Sequence, residues 1–246
     1  MRKSAATDSR DPVELDRLAR GAVSGYQAVV DHLRREIILG RIRPGDRLPP
    51  ERKLAEHLGV ARETLRQGLR VLEGSGQILV SRGARGGATV QESIIDPVLV
   101  REDLEIRKEY ILQLIEFRSV IESGAAGLAA LRRGNAELEL MALAQQALLN
   151  STSTYEARMA DTAFHLAVAK ASGNPALLAS IEDARVQMFS PLDVMAFHFE
   201  REVSYNAHQK ILEAIERGDA DAASQSMKEH LSTTKTEFEA LCASTQ

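Results

Sequence analysis

The sequence predicts a mainly α-helical protein in two parts, an N-terminal winged helix-turn-helix with a small β-hairpin and a C-terminal all-α antiparallel helical bundle. Three observations predict this fold class. Two short helical patterns joined by a glycine turn precede a stretch of alternating apolar residues. After residue 101 apolar residues recur only with helical spacing, and the charge is divided unevenly along the chain. The length, 246 residues, suits one or two domains.

The charge distribution separates a basic segment from an acidic remainder. The net charge is -4, but residues 26–91 carry roughly +5 and the residues after them about -10. A basic segment attracts the phosphates of nucleic acid, whereas an acidic remainder limits non-specific binding. The total charge alone would have argued against DNA binding, and its distribution argues for it.

The composition also predicts a cellular location. Cys242 is the only cysteine in the sequence, so an internal disulfide is excluded and a reducing cytoplasm fits. The polar N-terminus lacks the apolar core of a signal peptide, and no apolar run approaches the roughly 20 residues of a membrane helix. We therefore expect a cytoplasmic protein that does not enter the membrane.

The first elements follow in order from the N-terminus. Residues 1–25 are polar and mixed, which predicts a flexible arm. A helical pattern then begins at Tyr26, and Gly40 can close it before the turn at Pro44 and Gly45. Its apolar residues share one face: Val29, Val30, Leu33, Ile37 and Ile38.

The next stretch predicts the helix-turn-helix and the hairpin. One short helix begins at Pro50 and ends at Gly59, and the next opens at Ala61 or Arg62. The buried face of the second helix is predicted to contain Leu65, Leu69 and Leu72. Alternation at Ile78 and Val80, a glycine-rich tip and a return at Thr89 and Val90 predict the hairpin. Residues 26–91 therefore form the predicted winged-helix domain.

The rest of the chain predicts a linker and a helical domain. Residues 92–101 surround Pro97 and are interpreted as the linker, and residues 102–246 as an all-helical effector-binding and dimerisation domain. Glycine joints at Ser172–Pro175 and at Gly218–Asp219 separate helices. The predicted helices span 102–132, 135–149, 154–172, 175–198, 200–217 and 219–243.

The second helix of a helix-turn-helix enters the major groove with its N-terminal residues at the base edges. Arg62 and Arg66 are four residues apart and share a face, so each could bond guanine in a fork. The other candidate DNA contacts are Arg52, Thr64, and the hairpin residues Arg82 and Arg85. Taken alone, the arginine pair could equally be a solvated helix face. The spacing, the basic hairpin and the charge segregation together favour DNA binding.

Histidines in the second part suggest a metal site. Asp161 and His165 are four residues apart, so they share a helix face. In an antiparallel hairpin that turns at Gly218–Asp219, His208 and His230 lie level with each other. Imidazole and carboxylate ligands suit a divalent ion, with zinc or nickel favoured. The alternative is that these are scattered structural histidines.

The residues of the first domain also carry a family resemblance. The stretch ILGRIRPGDRLPPERKLAEHLGVARETLRQGLRVLEGSGQI resembles the signature of the GntR family of transcription regulators. The resemblance implies DNA contacts at Arg52, Arg62, Thr64, Arg66 and Gly83. The family more often has Ser-Arg at the start of the recognition helix, where this chain has Ala61 and Arg62. One hydroxyl contact to phosphate is therefore expected to be missing.

Residues from about 100 to 246 resemble the C-terminal effector domain of the FadR subfamily. The segments DTAFHLAVAKASGNPALL and HQKILEAIERGDADAASQSMKEHL are similar to the segments that hold a metal in many members. The resemblance implies four metal ligands: Asp161, His165, His208 and His230. The segment LIEFRSVIE implies that Arg118 contacts an acidic effector, because guanidinium pairs with carboxylate. A structural ion pair of Arg118 with Glu116 or Glu122 is the alternative.

These observations predict a repressor that binds double-stranded DNA. We expect a homodimer on an inverted-repeat operator, because a single winged helix covers only a short site. A small organic acid bound near the metal is expected to control operator affinity. Two alternatives remain at this point: a helical-domain metalloenzyme tethered to DNA, and an architectural DNA-binding protein with an inert dimerisation domain. The absence of an HExxH motif weighs against the enzyme.

Overall fold

The computed structural model describes residues 25–81, 87–91, 97–188 and 201–244. The N-terminal elements are α1 (Gly25–Ile38), α2 (Glu51–Leu58), α3 (Arg62–Gly74), β1 (Ile78–Ser81) and β2 (Gly87–Val90). The remaining helices are α4 (Pro97–Arg132), α5 (Asn135–Asn150), α6 (Thr154–Ala171), α7 (Pro175–Met188), α8 (Arg201–Arg217) and α9 (Ala220–Ser244). The predicted fold class, mainly helical with a small two-stranded sheet, is confirmed.

The turn between α2 and α3 forms for local reasons. Gly59 adopts a left-handed conformation with φ of 65°, and its N–H contacts the carbonyl oxygens of Ala55 and Glu56 at the end of α2. A side chain at that φ would be strained, so glycine suits the position. The three leucines of α3 that the pattern predicted to be buried are buried: Leu65, Leu69 and Leu72.

A very short segment before α2 pairs with the two-stranded hairpin, and the sequence pattern did not indicate this pairing. Strands β1 and β2 pair with each other, and Arg47 forms an antiparallel bridge with Thr89. The N–H of Leu48 donates to the carbonyl oxygen of Ala88 at 2.8 Å. The segment before α2 is too short and too rich in proline and glycine to show strand periodicity, which is why this pairing was missed.

Gly68 marks a close approach of α3 to α1. A Cβ at this position would lie 2.8 Å from Cγ1 of Val29 and 3.2 Å from the carbonyl oxygen of Tyr26. Gly74, at the end of α3, has no atom within 4 Å of its ideal Cβ position. Gly68 is therefore closely packed, whereas Gly74 has open space beside it.

Gly68→Ala is expected to lower the free energy of unfolding by about 1–3 kcal/mol, because overpacking outweighs the better helix propensity of alanine. Gly74→Ala is the matched control and is expected to be neutral or slightly stabilising. Urea unfolding followed by circular dichroism measures both. Equal stability of the two variants would contradict the tight α1–α3 contact.

The helical part is held together by a core of small and aliphatic side chains. The core includes Phe164 and Met227, both fully buried, packed among alanines of α4 and α6 and aliphatic residues of α8. The joints are formed as predicted: Asn174 accepts backbone N–H bonds at the start of α7, and Gly218 has φ of 75° between α8 and α9. The joint at Gly218 connects the helices that carry His208 and His230, and the joint at Asn174 follows the helix that carries His165.

One predicted boundary is wrong in part. Helix α4 begins at Pro97, so residues 97–101 of the predicted linker 92–101 are helical. The error came from taking Pro97 as a linker residue, whereas proline is favoured in the first turn of a helix, where its missing N–H has no intrahelical partner. The described part of the predicted helix 175–198 ends at Met188. Residues 92–96, 189–200 and most of the predicted arm 1–25 lie outside the described residues.

The chain divides into two compact units. Of the described residues, those up to Leu33 and those within Arg47–Thr89 form the first unit, and those within Arg34–Asp46 together with those from Val90 onward form the second. Among the described residues, no helix is both long enough and apolar enough to cross a membrane.

Candidate metal centre and DNA interface

The outer face of α3 presents the predicted recognition residues. Arg62 is the first residue of α3, and Arg66 follows one turn later; both are exposed. Thr64 is half-buried beside Gly25, whose ideal Cβ position lies 3.1 Å from the Thr64 methyl group. Because the leucines occupy the buried face of α3, the two arginines project away from the core.

Two of the candidate DNA contacts are engaged in ion pairs. Nε of Arg66 donates to a carboxylate oxygen of Glu51 at 2.8 Å, and the hydrogen bond and charge of Glu51 raise the pKa of Arg66. Nη1 of Arg52 lies 3.5 Å from a carboxylate oxygen of Glu56. Both pairs are exposed, so their contribution to stability is small. The predicted hairpin contacts Arg82, Gly83 and Arg85 lie outside the described residues.

Four side chains from three helices of the second unit converge in its interior. Asp161 and His165 come from α6, His208 from α8 and His230 from α9, and all four are buried. Nε2 of His230 lies 3.2 Å from Nε2 of His165 and 3.3 Å from Nε2 of His208. An oxygen of Asp161 lies 3.5 Å from Nε2 of His165 and 3.3 Å from Nε2 of His208. The structure therefore brings together the four residues that the sequence singled out.

The donor set fits a divalent transition metal. With metal–nitrogen distances of about 2.1 Å, neighbouring ligand atoms are about 3.0 Å apart in an octahedral site and about 3.4 Å apart in a tetrahedral one. The separations of 3.2 to 3.5 Å between neighbouring ligand atoms lie at the upper end of this range or just above it, and all four ligand atoms lie within 4.8 Å of one another. Three imidazole nitrogens that face one point cannot all satisfy one another by hydrogen bonds, because each neutral ring carries one donor and one acceptor.

A layer of charged side chains surrounds these four residues. Glu122 accepts a hydrogen bond from Nδ1 of His165, which leaves Nε2 directed at the cluster. Nε of Arg118 donates to Glu122 at 2.6 Å, and Arg185 donates to Asp161. A carboxylate behind a ligating histidine fixes the ring orientation and raises its basicity as a ligand.

The protonation states also favour metal binding. Burial lowers the pKa of His208 to about 4, and burial together with the neighbouring His208 lowers the pKa of His230. Burial opposes ionisation of Asp161, but the charges of Arg185 and His165, together with hydrogen bonds from His165 and His208, outweigh it, and the pKa of Asp161 falls well below its usual value. Near neutral pH the site therefore offers the neutral imidazoles of His208 and His230 and the ionised carboxylate of Asp161, the forms that bind metals.

Sequence reasoning missed two residues of this layer. Arg185 is fully buried on α7 and was not singled out, and Glu122 was considered only as an ion-pair partner for Arg118. The available signal was Arg185 in the last turn of an otherwise apolar helix face, four residues after the buried Ile181. The structure places Arg118 in the ion pair with Glu122, one of the two alternatives open from the sequence.

Comparison with known proteins identifies the family to which this chain belongs. A model described as bacterial regulatory proteins, gntR family, matches residues 25–90, and a model described as the FCD domain matches residues 113–233. The Uxu operon transcriptional regulator of Escherichia coli is 31% identical over 230 residues, which cover 88% of each chain. This chain belongs to the GntR family. It combines a GntR helix-turn-helix with an FCD domain, as the sequence resemblance predicted.

Other relatives of this GntR-family protein are also regulators. A protein of Escherichia coli provisionally named L-lactate dehydrogenase operon regulatory protein is 32% identical, covering 85% of this chain and 84% of its own. The solved structure of Escherichia coli McbR/YncC covers 89% of this chain and 98% of its own with a TM-score of 0.50, at 22% identity, and supports the fold. The chain is thus a DNA-binding transcription regulator, and the metalloenzyme alternative is not supported.

Proposed function

We propose that this regulator is a homodimeric repressor that binds an inverted-repeat operator and releases it when a small organic acid binds beside a divalent metal. Residues 26–91 would bind DNA in the cytoplasm, and residues 102–246 would hold the metal, the acid and the second subunit. The observation that carries this proposal is the convergence of three buried imidazoles and one buried carboxylate next to two buried guanidinium groups.

The charges of the site favour an acidic effector. The positive charges of Arg118 and Arg185 balance the negative charges of Asp161 and Glu122. A bound divalent ion supplies further positive charge and coordination positions for an oxygen ligand. Since uncompensated charge is costly in a buried site, an anionic oxygen ligand such as a carboxylate is favoured, because it reduces this excess of positive charge.

Arg118 is well placed to hold part of such an acid. Its Nε is bonded to Glu122, but its Nη1 lies 3.1 Å from the sulfur of Met188. A thioether is a weak acceptor. Exchanging that contact for a carboxylate oxygen would give a stronger, charge-assisted bond. This supports the effector role predicted for Arg118 without removing its structural pair.

A thermal-shift screen of small organic acids tests the sensor. L-Lactate belongs in the first set, because the name of one relative refers to an L-lactate dehydrogenase operon. An acid that binds the native state should raise the melting temperature in zinc- or nickel-loaded protein and not after chelation. The active acid should weaken operator affinity about 5–150-fold in a fluorescence anisotropy titration. Tighter operator binding with acid would overturn the repressor assignment, and no response from any acid would overturn the sensor.

Arg62→Ala is expected to reduce affinity for the specific operator by about 1–3 kcal/mol, because a bidentate base contact is lost. Arg70→Ala is the matched control: it removes the same charge from the same helix, two turns further from its N-terminus. Anisotropy titrations with operator and with scrambled DNA measure both variants. Operator binding by Arg62→Ala as tight as that of the parent would show that the recognition helix is wrongly assigned.

A further inference from the structure

The interior of the helical unit differs on the two sides of the histidine cluster. On the side nearer the turn between α8 and α9, Leu212 and Met227 lie about one helical turn from the histidines and belong to the apolar core. On the other side, one turn from the same histidines, Ser204 and Thr234 are buried although they are polar. The polar residues therefore lie on one side of the cluster only.

Both hydroxyl residues share a helix face with a histidine of the cluster. Ser204 precedes His208 by four residues on α8, and Thr234 follows His230 by four residues on α9. The Nε2 atoms of these two histidines lie 3.3 Å apart. Because α8 and α9 are antiparallel, Ser204 and Thr234 are level with each other, about 5.4 Å along the helices from the histidines.

Arg118 of α4 lies at the same level. Near one end of the pairing of α4 with α9, the ideal Cβ position of Gly127 lies 3.3 Å from the carbonyl oxygen of Ala220. Near the other end, Ile115 and Phe238 belong to one apolar cluster. Interpolation between these two contacts places Arg118 level with the two hydroxyl residues. Arg118 and these two residues are here called the polar layer.

The hydrogen bonds of the polar layer are incomplete within the described part of the chain. Thr234 donates to the carbonyl oxygen of His230 at 3.2 Å, which leaves its own oxygen able to accept a bond. The hydroxyl of Ser204 has no hydrogen-bond partner among the described residues. A buried hydroxyl without a partner costs free energy, and alanine would be the better helix former at this position. Serine here therefore indicates a partner outside the described residues.

The chemistry of the polar layer suits a ligand with one carboxylate and one hydroxyl group. Arg118 is the cation that can take a carboxylate in place of the sulfur of Met188. Arg158 is also buried, but its guanidinium lies over the ring of Tyr155, 5.8 Å from the centroid, and is already partnered within the chain. A second carboxylate in the layer would meet neutral hydroxyls, and a buried charge without a charged partner is costly.

We propose that Ser204 and Thr234 bind a hydroxyl group of the effector, so that the sensor selects small hydroxy acids over the corresponding acids without a hydroxyl. The ligand hydroxyl would accept a bond from Ser204 and donate one to Thr234, while its carboxylate bonds Arg118. The apolar cluster that includes Phe238 lies beyond the layer, so an acid of about two to four carbons fits. This inference rests on the acid sensor proposed above and names its class of acid.

Three pairs of acids test the selectivity: glycolate with acetate, L-lactate with propionate, and L-malate with succinate. Isothermal titration of zinc- or nickel-loaded full-length protein measures each affinity. At least one hydroxy acid should bind about tenfold or more tightly than its partner. If no hydroxy acid binds more tightly than its partner, the hydroxyl site is overturned and the acid sensor remains. If none of the six acids binds, both are overturned.

Ser204→Ala and Thr234→Val show whether these residues, rather than the metal, recognise the hydroxyl. Each variant should bind the hydroxy acid about tenfold more weakly and its partner acid as the parent does. The matched controls are Ser232→Ala and Thr233→Val, which remove exposed hydroxyls of α9 and should bind both acids like the parent. Without ligand, Ser204→Ala should melt at the same temperature as the parent or higher. An unchanged preference for the hydroxy acid in both variants overturns the proposal.

Discussion

Arg185→Met is expected to lower the free energy of unfolding of metal-free protein by about 3–5 kcal/mol, because the Asp161 carboxylate then stays buried without its charge partner. Arg185 is fully buried and also donates to the hydroxyl of Thr162 at 2.9 Å. Methionine keeps the length and the apolar stem of the side chain. The loss of unfolding free energy therefore measures mainly the effect of removing the positive charge. Urea unfolding in the presence of a chelator measures it.

Two further variants make this measurement specific. Lys170→Met removes an exposed charge of the second unit and should change stability by less than about 0.5 kcal/mol. The double variant Arg185→Met with Asp161→Asn should recover part of the loss, because no uncompensated carboxylate remains. A loss below about 1 kcal/mol for Arg185→Met alone would mean that the guanidinium does not compensate Asp161.

His208→Ala and His230→Ala are each expected to abolish tight metal binding. If metal saturates the parent about a thousandfold above its dissociation constant, the stabilisation that is lost is about 4 kcal/mol. His208 also stacks on Phe164 with ring centroids 4.1 Å apart, so its removal opens a cavity as well. The chelator separates the two effects: it should lower the melting temperature of the parent but leave that of each variant unchanged.

The matched control for the histidine variants is His57→Ala, an exposed histidine of α2. It should bind metal like the parent. Metal content is measured by elemental analysis of protein purified without a histidine tag. If metal-free parent protein still responds to its effector, the four residues are structural and the metal-dependent mechanism is wrong.

The helix-turn-helix could be predicted because its signals are local. The glycine turn at Gly59 and the leucine spacing of α3 each determine the conformation of a few neighbouring residues. The convergence of His208 and His230 was predictable for a related reason. Regular helix geometry and a turn at Gly218 place them level with each other without further information.

Contacts between segments distant in sequence were harder to predict. The pairing of Arg185 with Asp161 depends on how α7 packs against α6, which no local pattern specifies. The bond from His165 to Glu122 joins residues 43 positions apart. The start of α4 was missed because proline is compatible with both a linker and a first helical turn. Tertiary packing decides between such alternatives.

The ion pair between Arg66 and Glu51 would orient one of the proposed base contacts before DNA arrives. Glu51 accepts a hydrogen bond from Nε of Arg66, and that bond does not use the four N–H donors on Nη1 and Nη2. A guanidinium held in this way loses less conformational freedom when its Nη groups bond guanine in a fork. The carboxylate of Glu51 would at the same time oppose the approach of any phosphate backbone. We therefore expect Glu51 to raise the ratio of operator affinity to random-sequence affinity at the expense of total affinity.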